Sequence, residues 1–149
     1  MEQTLKTLLE SQDYIRVKLR LTKTNHFEIK AILNGTKGLF ILDTGASNSC
    51  VGFTDIETFK LKAKESKIKA AGAGATDMFT QSASKNQIKI GKWEFKNLNL
   101  VLFDLKHVNT ALIQHNAKPV NGIIGADVLK KGKAIIDYNQ KYLYLKLKK

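Results

Sequence analysis

The run Gly38-Leu39-Phe40-Ile41-Leu42 is apolar, rich in β-forming side chains, and ends abruptly in Asp43-Thr44-Gly45-Ala46-Ser47. A short apolar run bounded by turn-forming residues reads as a buried strand that delivers a carboxylate to a tight turn. An acid carried inward in this way is costly unless donors or a second group stabilise its charge. Two readings fit these residues taken alone. Either Asp43 is a functional acid, or it begins an Asx turn after the strand with Gly45 at a positive φ.

The 149 residues, 43% of them hydrophobic, suit a single domain over 1–149, with 1–12 as a short helical extension. No apolar run approaches the roughly eighteen residues of a membrane-spanning helix, and Met1-Glu2-Gln3-Thr4-Leu5-Lys6 lacks the apolar stretch of a secretory signal. The expected location is therefore cytoplasmic, with no membrane partner. Cys50 stands alone among the small neighbours Ser49, Val51 and Gly52, which favours a buried side chain over a nucleophile. His26, His107 and His115 lie far apart without metal-ligand spacing, so neither a metal nor another cofactor is expected. Twenty-five basic against thirteen acidic residues give a net charge of +12, which would suit nucleic acid or an acidic partner. The lysines, however, alternate along expected strands without an aromatic platform, and solvated strand faces account for them. No nucleic acid is expected: a basic nucleic-acid-binding domain would leave Asp43 without a role.

Along the chain, Leu5, Leu8 and Leu9 have helical spacing from Thr4 to Ser11. From Tyr14 the period becomes two, with Ile15, Val17, Leu19 and Leu21 alternating with basic residues. Phe27 to Leu33, the turn at Asn34-Gly35 and Gly38 to Leu42 make a hairpin ending in Asp43. Cys50 to Phe53 reads as a short strand, and Thr54 with Glu57 as a capping box opening one helical turn. Ile68 to Gln81 reads as a hairpin with a mobile glycine- and alanine-rich tip, Ala70 to Ala75; no Lys-Ser/Thr follows, so it makes a poor phosphate cradle. Strands follow over Gln87 to Ile90, Trp93 to Phe95 and Leu98 to Phe103, then a loop from Asp104 to Lys118 with a helical turn around Thr110 to Gln114. Ile123-Ile124 suits a short buried strand between glycines, Ala126 to Lys131 a short helix stopped by Gly132, and Ala134 to Leu147 a last hairpin.

An Asp-Thr-Gly-Ala-Ser turn, a glycine-rich hairpin downstream and a late Ile-Ile-Gly before a short helix resemble, in kind and order, the retropepsin-like aspartic proteases, above all their small bacterial members. The resemblance runs from about Phe27 to Leu129. It implies a mainly β fold, a closed acid-protease barrel with short helices and one lobe per chain. It also implies an aspartic endopeptidase acting on a peptide or protein substrate. The family's active unit has two facing Asp-Thr-Gly turns and this chain has one, so a homodimer is implied, each copy giving one catalytic Asp43. Two close carboxylates share a proton, one serving as base toward a water and the other as acid toward the scissile carbonyl. By the same resemblance Thr44 bonds across the dimer, Gly45 admits the substrate backbone, and Ala46 and Ser47 border the cleft. Ala70, Ala71, Gly72, Ala73, Gly74 and Ala75 match the flap that closes over substrate, and Ile123, Ile124 and Gly125 cross behind the catalytic turn.

Two departures qualify the resemblance. Many viral members have an acid where Ser47 stands and an arginine where Ala126 stands, so this chain's dimer contact needs another basis, for which Leu143, Leu145 and Leu147 are the candidates. Ala46 lacks the hydroxyl that pepsin-like enzymes carry at that place, so a less acidic pH profile is expected. The rival reading is a peptide-binding or dimerisation module on the same fold, with hydrolysis weak or lost.

Overall fold

The computed structural model describes residues 4–65 and 79–148. Most of it is one closed six-stranded barrel. Strand β3 (Phe27–Leu33) turns through Asn34 (φ 50°) and Gly35 (φ 87°) into β4 (Thr36–Leu42). Two consecutive positive φ values make the tight connection whose twist matches the paired strands, so the Asn-Gly signal is realised. β4 runs parallel to β9 (Gly122–Ile124), which pairs with β5 (Cys50–Gly52); β5 in turn runs parallel to β8 (Trp93–Phe103). The long β7 (Gln81–Ile90) pairs with β8 and returns to β3 through Ile32↔Lys89 and Leu33↔Ile88, which closes the barrel. Closure leaves none of these six strands as a free edge along its whole length, and it gathers Ile29, Leu33, Phe40, Val51, Leu102 and Ile124 into one dry interior.

The alternating segment from Tyr14 divides in two. β1 (Tyr14–Lys18) joins one small sheet and β2 (Arg20–Leu21) pairs with β3 on the barrel, with the buried Leu19 at the crossing. The small sheet has the order β1, β11 (Tyr142–Lys146), β10 (Ile135–Asp137). One face of β11 packs on the main core, so Leu143 and Leu145 are fully buried there, and Leu147 packs on the same cluster. These leucines are therefore not an outward dimer face, which corrects the expectation drawn from their alternation. Their pattern established a buried face, and only the topology shows what buries it.

Three local expectations also change. The turn after β5 is a 3-10 helix, Phe53–Asp55, entered from Gly52 without a side-chain cap, so Thr54 and Glu57 form no capping box. The segment after β8 contains a full helix, α2 (Lys106–Gln114), anchored by buried Leu112, where only a turn was expected. At the start, α1 (Leu5–Glu10) is capped by Thr4 with Thr7, but it docks only Leu9; Leu5 and Leu8 stay exposed. Helix α3 (Ala126–Lys131) ends at Gly132 as its sequence implies. Among the described residues, no helix is long and apolar enough to cross a membrane.

Candidate active site

Strand β4 brings Asp43 out of the core after buried Phe40, Ile41 and Leu42, and the acid is exposed at the strand's end. Its backbone N–H still donates to the Ile124 carbonyl at 2.9 Å, continuing the ladder with β9. The chain then folds back: Ala46 N–H donates to the Asp43 carbonyl at 3.2 Å, and Gly45 N–H donates to Asp43 Oδ1 at 2.9 Å. That second bond is the Asx-type contact of the plainer reading. Gly45, however, is not at a positive φ. Oδ2 of Asp43 takes no hydrogen bond among the described residues. One carboxylate oxygen is thus oriented by the backbone, while the other is left to meet something outside the turn.

Behind the turn lies the segment Ile123, Ile124 and Gly125. Ile124 belongs to the barrel core, and Ile123 bridges two smaller clusters around Cys50 and Leu112. Ala126 N–H donates to the Ala46 carbonyl at 2.7 Å, so both ends of the Asp43–Ala46 turn are gripped from this side. A Cβ on Gly125 would lie 2.5 Å from that same carbonyl oxygen, and only glycine fits so close an approach. Thr44 is exposed beside a shallow groove between α3 and β10, lined also by Ala126, Leu129, Ala134 and Ile136 and by Lys130 and Lys133. Ser47 is exposed at the turn's outer edge. The glycine-rich residues Ala70, Ala71, Gly72, Ala73, Gly74 and Ala75 lie outside the described residues.

Three polar residues that the sequence did not single out support this arrangement. Ser49 is buried; its N–H donates to Asp127 Oδ2 at 2.9 Å, its hydroxyl lies 2.7 Å from Asp127 Oδ1, and Gly125 N–H donates to its Oγ at 2.9 Å. Asn121 Oδ1 accepts from Leu39 N–H at 2.9 Å, and its Nδ2 donates to Asp55 Oδ2 at 3.1 Å, which ties β4 to the 3-10 turn. Ser49 and Asp127 are 78 positions apart, so no local pattern announces their pairing; an acid in the first turn of a helix reads only as a dipole partner. Cys50 is buried beside them, and its thiol is pushed up to about 12, chiefly by burial, with the Asp127 and Asp43 carboxylates adding to the shift. A thiol so rarely ionised makes a poor nucleophile. Among the described residues, no cluster of three or more His, Cys, Asp or Glu side chains could hold a metal ion.

The comparisons with known proteins agree on the fold. The family model described as aspartyl protease matches residues 29–128. A retropepsin-like aspartic protease from Rickettsia conorii superposes with a TM-score of 0.59 at 23% identity, over 89% of this chain and 90% of its own. The EIAV protease in an inhibitor complex gives 0.55 at 20% identity, over 74% and 90%. The retroviral protease-like domain of Ddi1 from Leishmania major gives 0.54 at 14% identity, over 85% and 90%. No curated protein matches the chain significantly by sequence. The retropepsin-like barrel is thereby established for this chain.

Proposed function

The chain belongs to the aspartyl protease family, and from that premise we propose that it is an aspartic endopeptidase whose site is completed by a second copy. The carrying observation is the presentation of Asp43: exposed at a strand end, with Oδ1 accepting from Gly45 N–H and Oδ2 without a hydrogen-bond partner among the described residues. The other acid of this network, Asp127, already accepts from Ser49 N–H, Ser49 hydroxyl and Val128 N–H, and so is spent on structure. By the family resemblance, the second reacting carboxylate is Asp43 of another copy across a two-fold axis.

In that site the two carboxylates share one proton. The ionised member takes a proton from a bound water as the water oxygen bonds to the scissile carbonyl carbon. The protonated member gives its proton to the carbonyl oxygen. The resulting diol collapses as the first carboxyl, now protonated, gives its proton to the amide nitrogen and a diol hydroxyl gives a proton to the second, now ionised, carboxylate. The C–N bond breaks, leaving one carboxylic acid and one amine, and the shared proton is restored. Substrate lies extended, with Ala46 and Ser47 at the cleft edge, and the reaction takes place in the cytoplasm.

Sedimentation combined with cleavage of a peptide library tests this reading. The native chain should cleave as a dimer, be blocked by a statine-type transition-state analogue, and lose activity on dilution. Asp43→Asn should lower turnover by about a thousandfold or more while the fold persists. Unchanged turnover by Asp43→Asn would overturn the assignment, and peptide binding by a dimer that never cleaves would favour a binding module instead.

A further inference from the structure

We infer that Ser49 and Asp127 act as one positioning pair for Asp43, a role that rests on the proteolytic reading above. Gly125 sits between the two residues that grip the turn: Ile124, whose carbonyl accepts Asp43 N–H, and Ala126, whose N–H donates to the Ala46 carbonyl. Wherever Gly125 moves, both anchors of the turn move with it. Gly125 is itself buried, and its N–H is satisfied by Ser49 Oγ at 2.9 Å. Because that oxygen is accepting from Gly125, its own proton is directed onward to Asp127 Oδ1 at 2.7 Å. Asp127 then holds Ser49 a second time, through the Ser49 N–H, and is held in turn by Val128 N–H at 2.8 Å.

The result is a closed ring. The chain leaves β9 at Ile124, passes through Gly125 to Asp127, crosses by side chain to Ser49, and returns along the loop to Asp43. Ser49 is 1% exposed, so water has no easy access to replace a missing bond. A satisfied buried network of this kind fixes geometry because each member has one acceptable orientation. Displacement of a reacting group by about 1 Å can cost on the order of a hundredfold in rate, so the pair acts on turnover through Asp43 without touching substrate.

The test compares Ser49→Ala, Asp127→Asn, the double variant and Ser49→Thr, each assayed as folded dimer below its melting transition. Ser49→Ala and Asp127→Asn should each lower kcat by roughly ten- to a hundredfold with KM within about threefold. The double variant should be no slower than the slower single, because one broken link opens the ring. Ser49→Thr, which keeps the hydroxyl, should recover most of the loss. Amide exchange provides a readout independent of cleavage: Gly125 N–H should be protected in the native chain and lose protection in Ser49→Ala, while β7 and β8 amides stay slow. Unchanged kcat in both singles, losses that multiply in the double, or a change confined to KM would overturn the positioning role. A native chain that never cleaves would sink the protease reading instead, and the exchange arm would still decide the ring: persistent Gly125 protection in Ser49→Ala would refute it.

Discussion

The turn that carries Asp43 has two unlike sides. At its rear, a Cβ on Gly122 would meet the Cys50 carbonyl oxygen at 2.1 Å, and one on Gly125 would meet the Ala46 carbonyl oxygen at 2.5 Å. Both glycines are buried, and the polar groups around them are paired. At its front, Asp43, Thr44 and Gly45 are exposed, and a Cβ on Gly45 would meet only Asp43 Oδ1, at 3.3 Å. The rear is thus closed by steric contact and hydrogen bonding, and the front is open. A carboxylate held this way keeps its direction without being shielded from a partner, a water or a substrate.

The sharpest way to break the contrast is Gly122→Ala. With backbone atoms in the way on the rear side, it should cost at least about 4 kcal/mol or prevent folding, as measured by denaturant unfolding. A loss under about 1 kcal/mol would show that the rear is not closed.

A middle-sized effect concerns Cys50, whose thiol is shifted from 9.0 to about 12, mainly by burial. The folded state keeps the proton that the unfolded state releases above 9.0, so stability should fall as pH rises from 9.0 toward about 12. This group's share of the slope approaches about 1.4 kcal/mol per pH unit within that window and vanishes below it. Cys50→Ala should flatten the alkaline limb relative to the native chain; an unchanged limb would mean that the rear admits water.

The smallest effect on stability belongs to Gly45→Ala, which should change unfolding by no more than about 1 kcal/mol because the one close atom, Asp43 Oδ1 at 3.3 Å, belongs to an exposed side chain that can give way. Cleavage should nevertheless fall at least tenfold if a substrate backbone passes there, by analogy with the close approaches for which glycine is chosen. Full activity would remove Gly45 from the cleft.

Much of this was legible in the sequence, and for local reasons. Asn34-Gly35 specifies its own turn, the apolar run from Leu39 to Leu42 specifies a strand, and the glycines around Ile123-Ile124 bound another. What was not legible depends on contacts between distant segments. Leu143 and Leu145 alternate as any half-buried strand does, and packing of the small sheet's face against the barrel's core residues decides that the chain itself covers them. The capping box at Thr54 is a valid local option that loses to a 3-10 turn entered from Gly52. Helix α2 starts after Leu105, which supplies no side-chain cap; Asp104 Oδ1 instead accepts from Lys106 N–H at 2.8 Å, a local contact that reads equally well as a loop turn, and the helix docks through Leu112.

The site divides along the same line. The sequence alone determined that one acid stands at the end of a buried strand before a tight turn, because apolar runs and turn residues act within a few positions of themselves. Only the tertiary structure decided that Ser49 and Asp127 join Gly125 behind that acid. Ser49, Gly125 and Asp127 become a single hydrogen-bonded ring when antiparallel pairing of β5 with β9 brings residues 78 positions apart into contact, and no local rule encodes that distance.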